Sequence, residues 1–168
     1  MALHVGQQIH LRHASGDDLA YVMRTERMPG YELLLAQWSL AEHREAMARP
    51  DVVYFIAERA RGEAVGFAIC EGVGDRHNGI KLKRIAVNSP GAGDGGRILR
   101  AVIDWAINDA AAPRFWLDVF DYNERARELY RRAGLREDGL FRSAFALPDG
   151  RRADRVIMSI LADEWPSR

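Results

Sequence analysis

Four glycines, Gly91, Gly93, Gly95 and Gly96, stand close together between an apolar stretch ending at Val87 and an amphipathic stretch opening near Arg97. A glycine loop between a strand and a helix N-terminus is a device for holding phosphate. The backbone can approach the ligand closely, and the unpaired amides and dipole of the first helical turn favour negative charge. Gly91, Gly93 and Gly96 also meet the G-x-G-x-x-G spacing of dinucleotide sites, with the acid Asp118 further on. Asn123 opens a later helix that carries Tyr130, whose phenol is protonated at neutral pH and can give up a proton. Together these residues point to a phosphate-bearing cofactor with acid chemistry beside it.

Such residues need a frame, and the chain supplies it by alternation. The pattern predicts a strand over 81–87, the glycine loop, a helix over 97–109, a strand over 114–120, and the helix opened by Asn123 and closed before Gly134. Upstream, 9–12 reads as a short strand and 18–28 as a helix stopped by Pro29-Gly30. Ser39 and Glu42 form a capping box for a helix running to about 48. Strands over 52–59 and 64–71 flank an Arg61-Gly62-Glu63 turn, and a glycine-containing link over 72–79 leads into the central strand. Downstream, 136–147 and 151–161 make a hairpin around Pro148-Asp149-Gly150. The expected fold is α/β (α+β): a single mixed, mostly antiparallel sheet with helices on both faces. A dinucleotide fold fits this frame poorly. The glycine motif lies mid-chain after an antiparallel meander, and 88–96 is longer than the tight turn such a fingerprint serves. An unliganded flexible loop also fits poorly, because each glycine costs backbone entropy.

Composition narrows the class. The 168 residues suit one domain with a real core. The 24 Lys and Arg balance 24 Asp and Glu, so the electrostatic footprint of a nucleic-acid binder is absent. Cys70 is the single cysteine, which excludes an intramolecular disulfide, and its apolar surroundings point to core packing. Residues 1–8 lack the features of a signal peptide, and no apolar run is long enough to span a membrane, so a cytoplasmic protein is expected. His4, His10 and His13 have a spacing that suits neither a helical metal site nor a strand pair, and no metal is expected. The run 24–27 reads as a solvated helix face, His43 as part of a charged helix, and Tyr31 and Trp38 as residues near the joint of the first two helices.

Ile85-Ala86-Val87 followed by Gly91-Ala92-Gly93-Asp94-Gly95 and the helix from Arg97 resembles motif A of the GCN5-related N-acetyltransferases. Asn123 to Tyr130, followed by Ala133-Gly134-Leu135, resembles motif B of the same superfamily, and the closing segments are similar to its ribosomal-protein and small-amine branch. The likeness spans 9–164 and implies a single N-acetyltransferase domain over 1–168. The sequence departs from the family pattern at four points. Pro90 stands where motif A usually has Arg or Gln. Asp94 puts a negative charge in an anion loop, which is unfavourable unless it faces solvent. Lys81 and Lys83 occupy the strand where many relatives carry a glutamate base, and Leu135 replaces a common Phe.

The resemblance implies acetyl-CoA as co-substrate and a primary amine, of a small molecule or peptide, as acceptor. Backbone amides near Ile85, Ala86 and Val87 would hold the pantetheine arm. Amides from Gly91, Ala92, Gly93, Asp94, Gly95, Gly96 and Arg97 would cradle the pyrophosphate, with the Arg97 side chain as an added contact. Asn123 would bond the pantetheine or simply cap its helix. Tyr130 would protonate the leaving thiolate, although spacing alone favours a core aromatic at this helical position. Asp118 is the candidate base, with Glu71 and an ordered water as alternatives. A non-catalytic acyl-CoA sensor on the same fold stays open, as does a homodimer; neither nucleic acid nor membrane is an expected partner.

Overall fold

The computed structural model describes residues 8–167. Seven strands form one sheet: β1 (His10–His13), β2 (Val52–Glu58), β3 (Ala64–Glu71), β4 (Ile80–Val87), β5 (Arg114–Phe120), β6 (Arg136–Ala146) and β7 (Arg152–Leu161). Their spatial order is β1-β2-β3-β4-β5-β7-β6, and only the β4–β5 pair is parallel. Helices α1 (Leu19–Glu26) and α2 (Leu40–Met47) cover one face over β2 to β4. Helices α3 (Asp94–Asp104) and α4 (Glu124–Arg132) cover the other. The expected mixed sheet with helices on both faces is therefore present.

Local sequence accounts for most element boundaries. The Ser39 hydroxyl accepts from the Glu42 amide while the Glu42 carboxylate accepts from the Ser39 amide, so the capping box opens α2. The 136–161 hairpin turns at Pro148-Asp149-Gly150, where Gly150 has φ +84°.

Several boundaries differ from the sequence reading. The first strand is one residue later, His10–His13, where backbone partners on β2 are available. The first helix ends at Glu26 rather than 28: its C-cap Arg27 leaves helical dihedrals (φ −97°, ψ 6°), and Met28 precedes Pro29, which disfavours the helical region. The helix placed at 97–109 begins at Asp94. Gly93 takes a left-handed φ of +82° as its N-cap, so Asp94, Gly95 and Gly96 form the first helical turn instead of loop. The last turn, Trp105–Asp109, widens to i→i+5 bonding, with the Ala110 amide donating to the Trp105 carbonyl.

The sheet is not continuous. β4 and β5 pair only at Ile80 with Phe115 and Lys81 with Trp116, although both strands run several residues further. At the closed end Gly79 (φ +73°) sits so near β5 that a Cβ would collide with the Arg114 carbonyl oxygen. Just beyond it, β4 bulges: Cys70 faces Leu82 while Ile69 faces Arg84, leaving Lys83 extra. A bulge bends its strand and steepens the twist, and from here β4 and β5 diverge.

Candidate active site

The gap between the diverging strands opens a cleft of about 630 Å³. Its walls are Leu82 to Val87 of β4, Leu117 to Phe120 of β5, one face of α4, and the segment 29–35 between α1 and α2. Gly91, Gly93, Gly95 and Gly96 lie at one end, Asn123 and Tyr130 on one wall, and Asp118 with Arg155 beside them. The fold thus gathers most of the sequence-selected residues into one cavity.

The glycine end leaves room beside the backbone. Gly91 and Gly93 have φ of +98° and +82°, a conformation that strains residues with a Cβ. No protein atom lies within 4 Å of where a Cβ on Gly91 would be. Gly95 and Gly96 back onto Leu129 of α4, where a Cβ on Gly96 would come within 3.3 Å. The first amides of α3 have no acceptor within their own helix. Backbone room, free donors and helix polarity therefore coincide, which is what a phosphate needs.

Ala92, Asp94 and Arg97 do not line the cleft. Asp94 does not face solvent: it is buried, with Arg59 Nη2 at 2.7 Å and Arg97 Nη1 at 3.2 Å. Its charge is neutralised beneath the turn, so it opposes an anion less than the bare sequence suggested. Arg97 Nη1 also donates to the Ala92 carbonyl, which ties the loop to its helix.

Tyr130 sits on the cleft-facing side of α4 and is 9% exposed. Burial pushes its phenol up to about 12; the nearby Arg155 charge pulls it down and the Asp118 charge pushes it up. It is an ordinary proton donor protected from ionisation. Asn123 Oδ1 accepts from the Ala126 amide at 3.2 Å and so caps α4, while the residue also lines the cleft.

Asp118 is held by two cations, Lys81 Nζ and Arg155 Nη2, each at 2.6 Å. Burial pushes its carboxyl up, but the Lys81 and Arg155 contacts outweigh burial and hold it below the usual carboxylate range. Both oxygens are engaged, which opposes proton uptake. Glu71 lies 3.5 Å from Lys83 and 3.9 Å from Arg49.

The β4 edge carries a contact the sequence did not announce. The Tyr31 hydroxyl accepts from the Val87 amide and donates to the Val87 carbonyl, both at 3.0 Å. The Tyr122 hydroxyl donates to the Leu33 carbonyl at 3.1 Å. The 29–35 segment is thereby strapped across the cleft, and any ligand that pairs with Val87 must displace Tyr31.

Sequence reading missed two further groups. Glu26, on the stretch taken as solvated, is fully buried, with Arg84 Nη1 at 2.6 Å, Arg27 Nη1 at 3.0 Å and His43 Nε2 at 3.2 Å. Arg84 also lies 3.9 Å from the Trp38 ring centroid, and His43 Nδ1 is 3.0 Å from the Tyr54 hydroxyl. The only sequence signal was a carboxylate in the last turn of an amphipathic helix. Arg155, on β7, was not singled out at all. Cys70 is buried and burial pushes its thiol up, in keeping with core packing. His10 and His13 are exposed on β1, and His4 lies outside the described residues. Among the described residues no cluster of three or more His, Cys, Asp or Glu could hold a metal, and no helix is long and apolar enough to cross a membrane.

Residues 20–135 match the profile of the Acetyltransferase (GNAT) family. Among solved structures, the chain is similar to a chimera of the Vibrio cholerae spermidine N-acetyltransferase SpeG with hSSAT, at TM-score 0.83 and 20% identity, covering 94% of this chain and 98% of that one. It is also similar to the Vibrio cholerae spermidine N-acetyltransferase in complex with CoA and spermine, at TM-score 0.81 and 20% identity, covering 94% of this chain and 97% of that one. At that identity the two likenesses speak for the fold.

Proposed function

The chain belongs to the acetyltransferase (GNAT) family and is by that membership an acyltransferase with acetyl-CoA as co-substrate, and on that premise we propose that it transfers the acetyl group directly to a primary amine of a small molecule or peptide within the β4–β5 cleft. The observation that carries this reading is the strand gap itself. Beyond Lys81 and Trp116, β4 and β5 leave backbone groups unpaired with one another, next to a glycine turn and a buried phenol. An amide-bearing arm fits that edge as a further strand would. The CoA complex of the similar Vibrio cholerae enzyme supports the same use of the fold.

In the proposed arrangement the Gly91 to Gly96 amides hold the pyrophosphate, and the β4 edge at Ile85 to Val87 holds the pantetheine once Tyr31 yields Val87. Acetyl-CoA supplies an acyl thioester: a carbon–nitrogen bond forms, the carbon–sulfur bond breaks, and the thiol departs. Tyr130 donates its proton to the departing sulfur. Its raised pKa keeps that proton available through the alkaline range where amines become nucleophilic. The acceptor arrives as the free amine, because the cations around Asp118 disfavour an ammonium. Asp118 then serves to hold Lys81 and Arg155 rather than to abstract a proton, and the nitrogen's proton leaves through water.

Calorimetry with CoA and thiol release across an amine panel test this reading. Binding with amine-dependent release is expected. Binding without release on any amine would instead identify an acyl-CoA sensor, and absence of binding would remove the proposal.

A further inference from the structure

The similar solved enzymes act on spermidine, a polycation; the charges lining this cleft suit a different acceptor. Two lining residues are carboxylates, Asp118 and Glu128, against Lys83, Arg84, Arg125, Arg132 and Arg155, of which Arg84 is matched by Glu26 and Lys83 faces Glu71. Both carboxylates are already committed. Glu128 pairs with Arg132 at 2.8 Å and Arg131 at 3.6 Å, and Asp118 pairs with Lys81 and Arg155. Around Asp118 one negative charge faces two positive ones, so the node is net positive. Each additional ammonium of a polyamine would meet repulsion without an available carboxylate.

Arg155 is the best-formed anion reader in the cleft. Its Nη2 donates to the Asp118 carbonyl at 2.9 Å and contacts Asp118 Oδ2 at 2.6 Å. Its guanidinium carbon lies 4.3 Å from the Phe120 ring centroid and 5.7 Å from that of Phe145. The group is therefore fixed, and its Nε–H is buried without a hydrogen-bond partner. The Arg155 side chain as a whole keeps 18% exposure and lines the cleft, so the fixed guanidinium can present its outer edge to a ligand there. A planar guanidinium fork matches a carboxylate in shape as well as charge.

We infer that the acceptor is a primary amine that also carries a carboxylate, and that Arg155 reads the carboxylate and thereby sets specificity. The inference rests on acyl transfer in this cleft. It makes this chain an acylator of amino-acid-like amines rather than of polyamines.

The test compares glycine, β-alanine and 4-aminobutanoate, each against its own carboxamide, together with 2-aminoethylphosphonate and spermidine. Rates are referred to free-amine concentration and measured for the native protein, Arg155→Lys and Arg155→Met. Thermal melts and CoA affinity report whether each variant is folded. At least one carboxylate form should exceed its amide in kcat/KM by on the order of tenfold. Arg155→Met should erase that preference and Arg155→Lys should keep part of it, with CoA affinity unchanged. If Arg155→Met does not fold, the native ratios and Arg155→Lys decide. Amides equal to acids, spermidine as the best acceptor, or a preference that survives Arg155→Met would each overturn the inference. A clear preference for the phosphonate would overturn the carboxylate assignment. If CoA binds but no amine is acetylated, transfer itself fails. Acid and amide binding to the CoA-loaded protein, read by calorimetry, then decides this inference separately, and equal binding overturns it.

Discussion

Two ionic nodes, each a carboxylate among nitrogen-bearing side chains, lie on either side of the cleft and differ in their cover. At the first, Glu26 joins Arg84 and His43, and the Glu26 and Arg84 side chains are 0% and 3% exposed. Helix α1, helix α2 and the Trp38 ring close over it. At the second, Asp118 joins Lys81 and Arg155, with side chains 18–19% exposed. Helices α1 and α2 pack mainly on β2, β3 and β4, and this node lies beyond them on β5 and β7. The first node has both glutamate oxygens met by partners and water excluded, so it serves architecture. The second is reached by solvent from the cleft, so it can meet a ligand. What separates the two nodes is cover: one is shut away from solvent and the other borders the cleft.

Breaking the sealed node should have the largest effect. Glu26→Gln leaves Arg84 buried without a counter-charge, and removing one partner of a buried pair costs about 3–5 kcal/mol. Denaturant unfolding should report that loss, and native-like stability would place Glu26 outside the load of the fold. Next in size is the test that the open side is a reaction chamber. Tyr130→Phe keeps the ring and removes the hydroxyl; kcat on a true acceptor should fall by a factor within or below about 10²–10⁴, with CoA affinity nearly intact. The native profile should also rise with pH without an alkaline fall. The protonated phenol is the active form, and burial lifts it above the value of about 10 at which an unperturbed tyrosine titrates.

Gly93→Val should come third. It places a β-branched residue at φ +82°, and CoA affinity by calorimetry should fall by an order of magnitude or so, roughly the cost of one strained backbone position. Tyr31→Phe should act in the other direction. It removes the hydroxyl that occupies Val87, and CoA affinity should rise by about 2- to 10-fold, the worth of one net hydrogen bond; unchanged affinity would mean the ligand does not use Val87.

Asp118→Asn should have the smallest effect and sharpens the contrast most. Because solvent reaches the open node, the stability loss at neutral pH should be only about 1 kcal/mol, and kcat/KM should change by a modest factor. Asp118 has a lowered folded pKa, so its contribution is present above the unfolded value of about 3.9 and fades as pH falls below that toward the folded value. Native and variant stabilities should therefore converge in acid. An acidic limb in the pH–rate profile that vanishes in Asp118→Asn would instead make Asp118 the base.

The sequence by itself determined what depends on neighbours along the chain. The α2 capping box, the 136–161 hairpin, the Asn123 cap and the glycine turn before α3 were legible because each is decided by the conformational limits of a few contiguous residues. The motif pattern was legible for the same reason, since a glycine turn at a helix start and a phenol on the next helix are short-range arrangements. Tertiary structure alone decided the rest. The Glu26–Arg84 contact joins residues 58 apart in sequence, and the Tyr31–Val87 contact residues 56 apart. Asp118 acquires its partners only when β4 and β7 flank β5. A carboxylate carries no local mark of the cations it will meet, and a strand carries none of where its partner will diverge. Charge pairing and the strand gap arise from distances between distant segments, and those distances exist only in the fold.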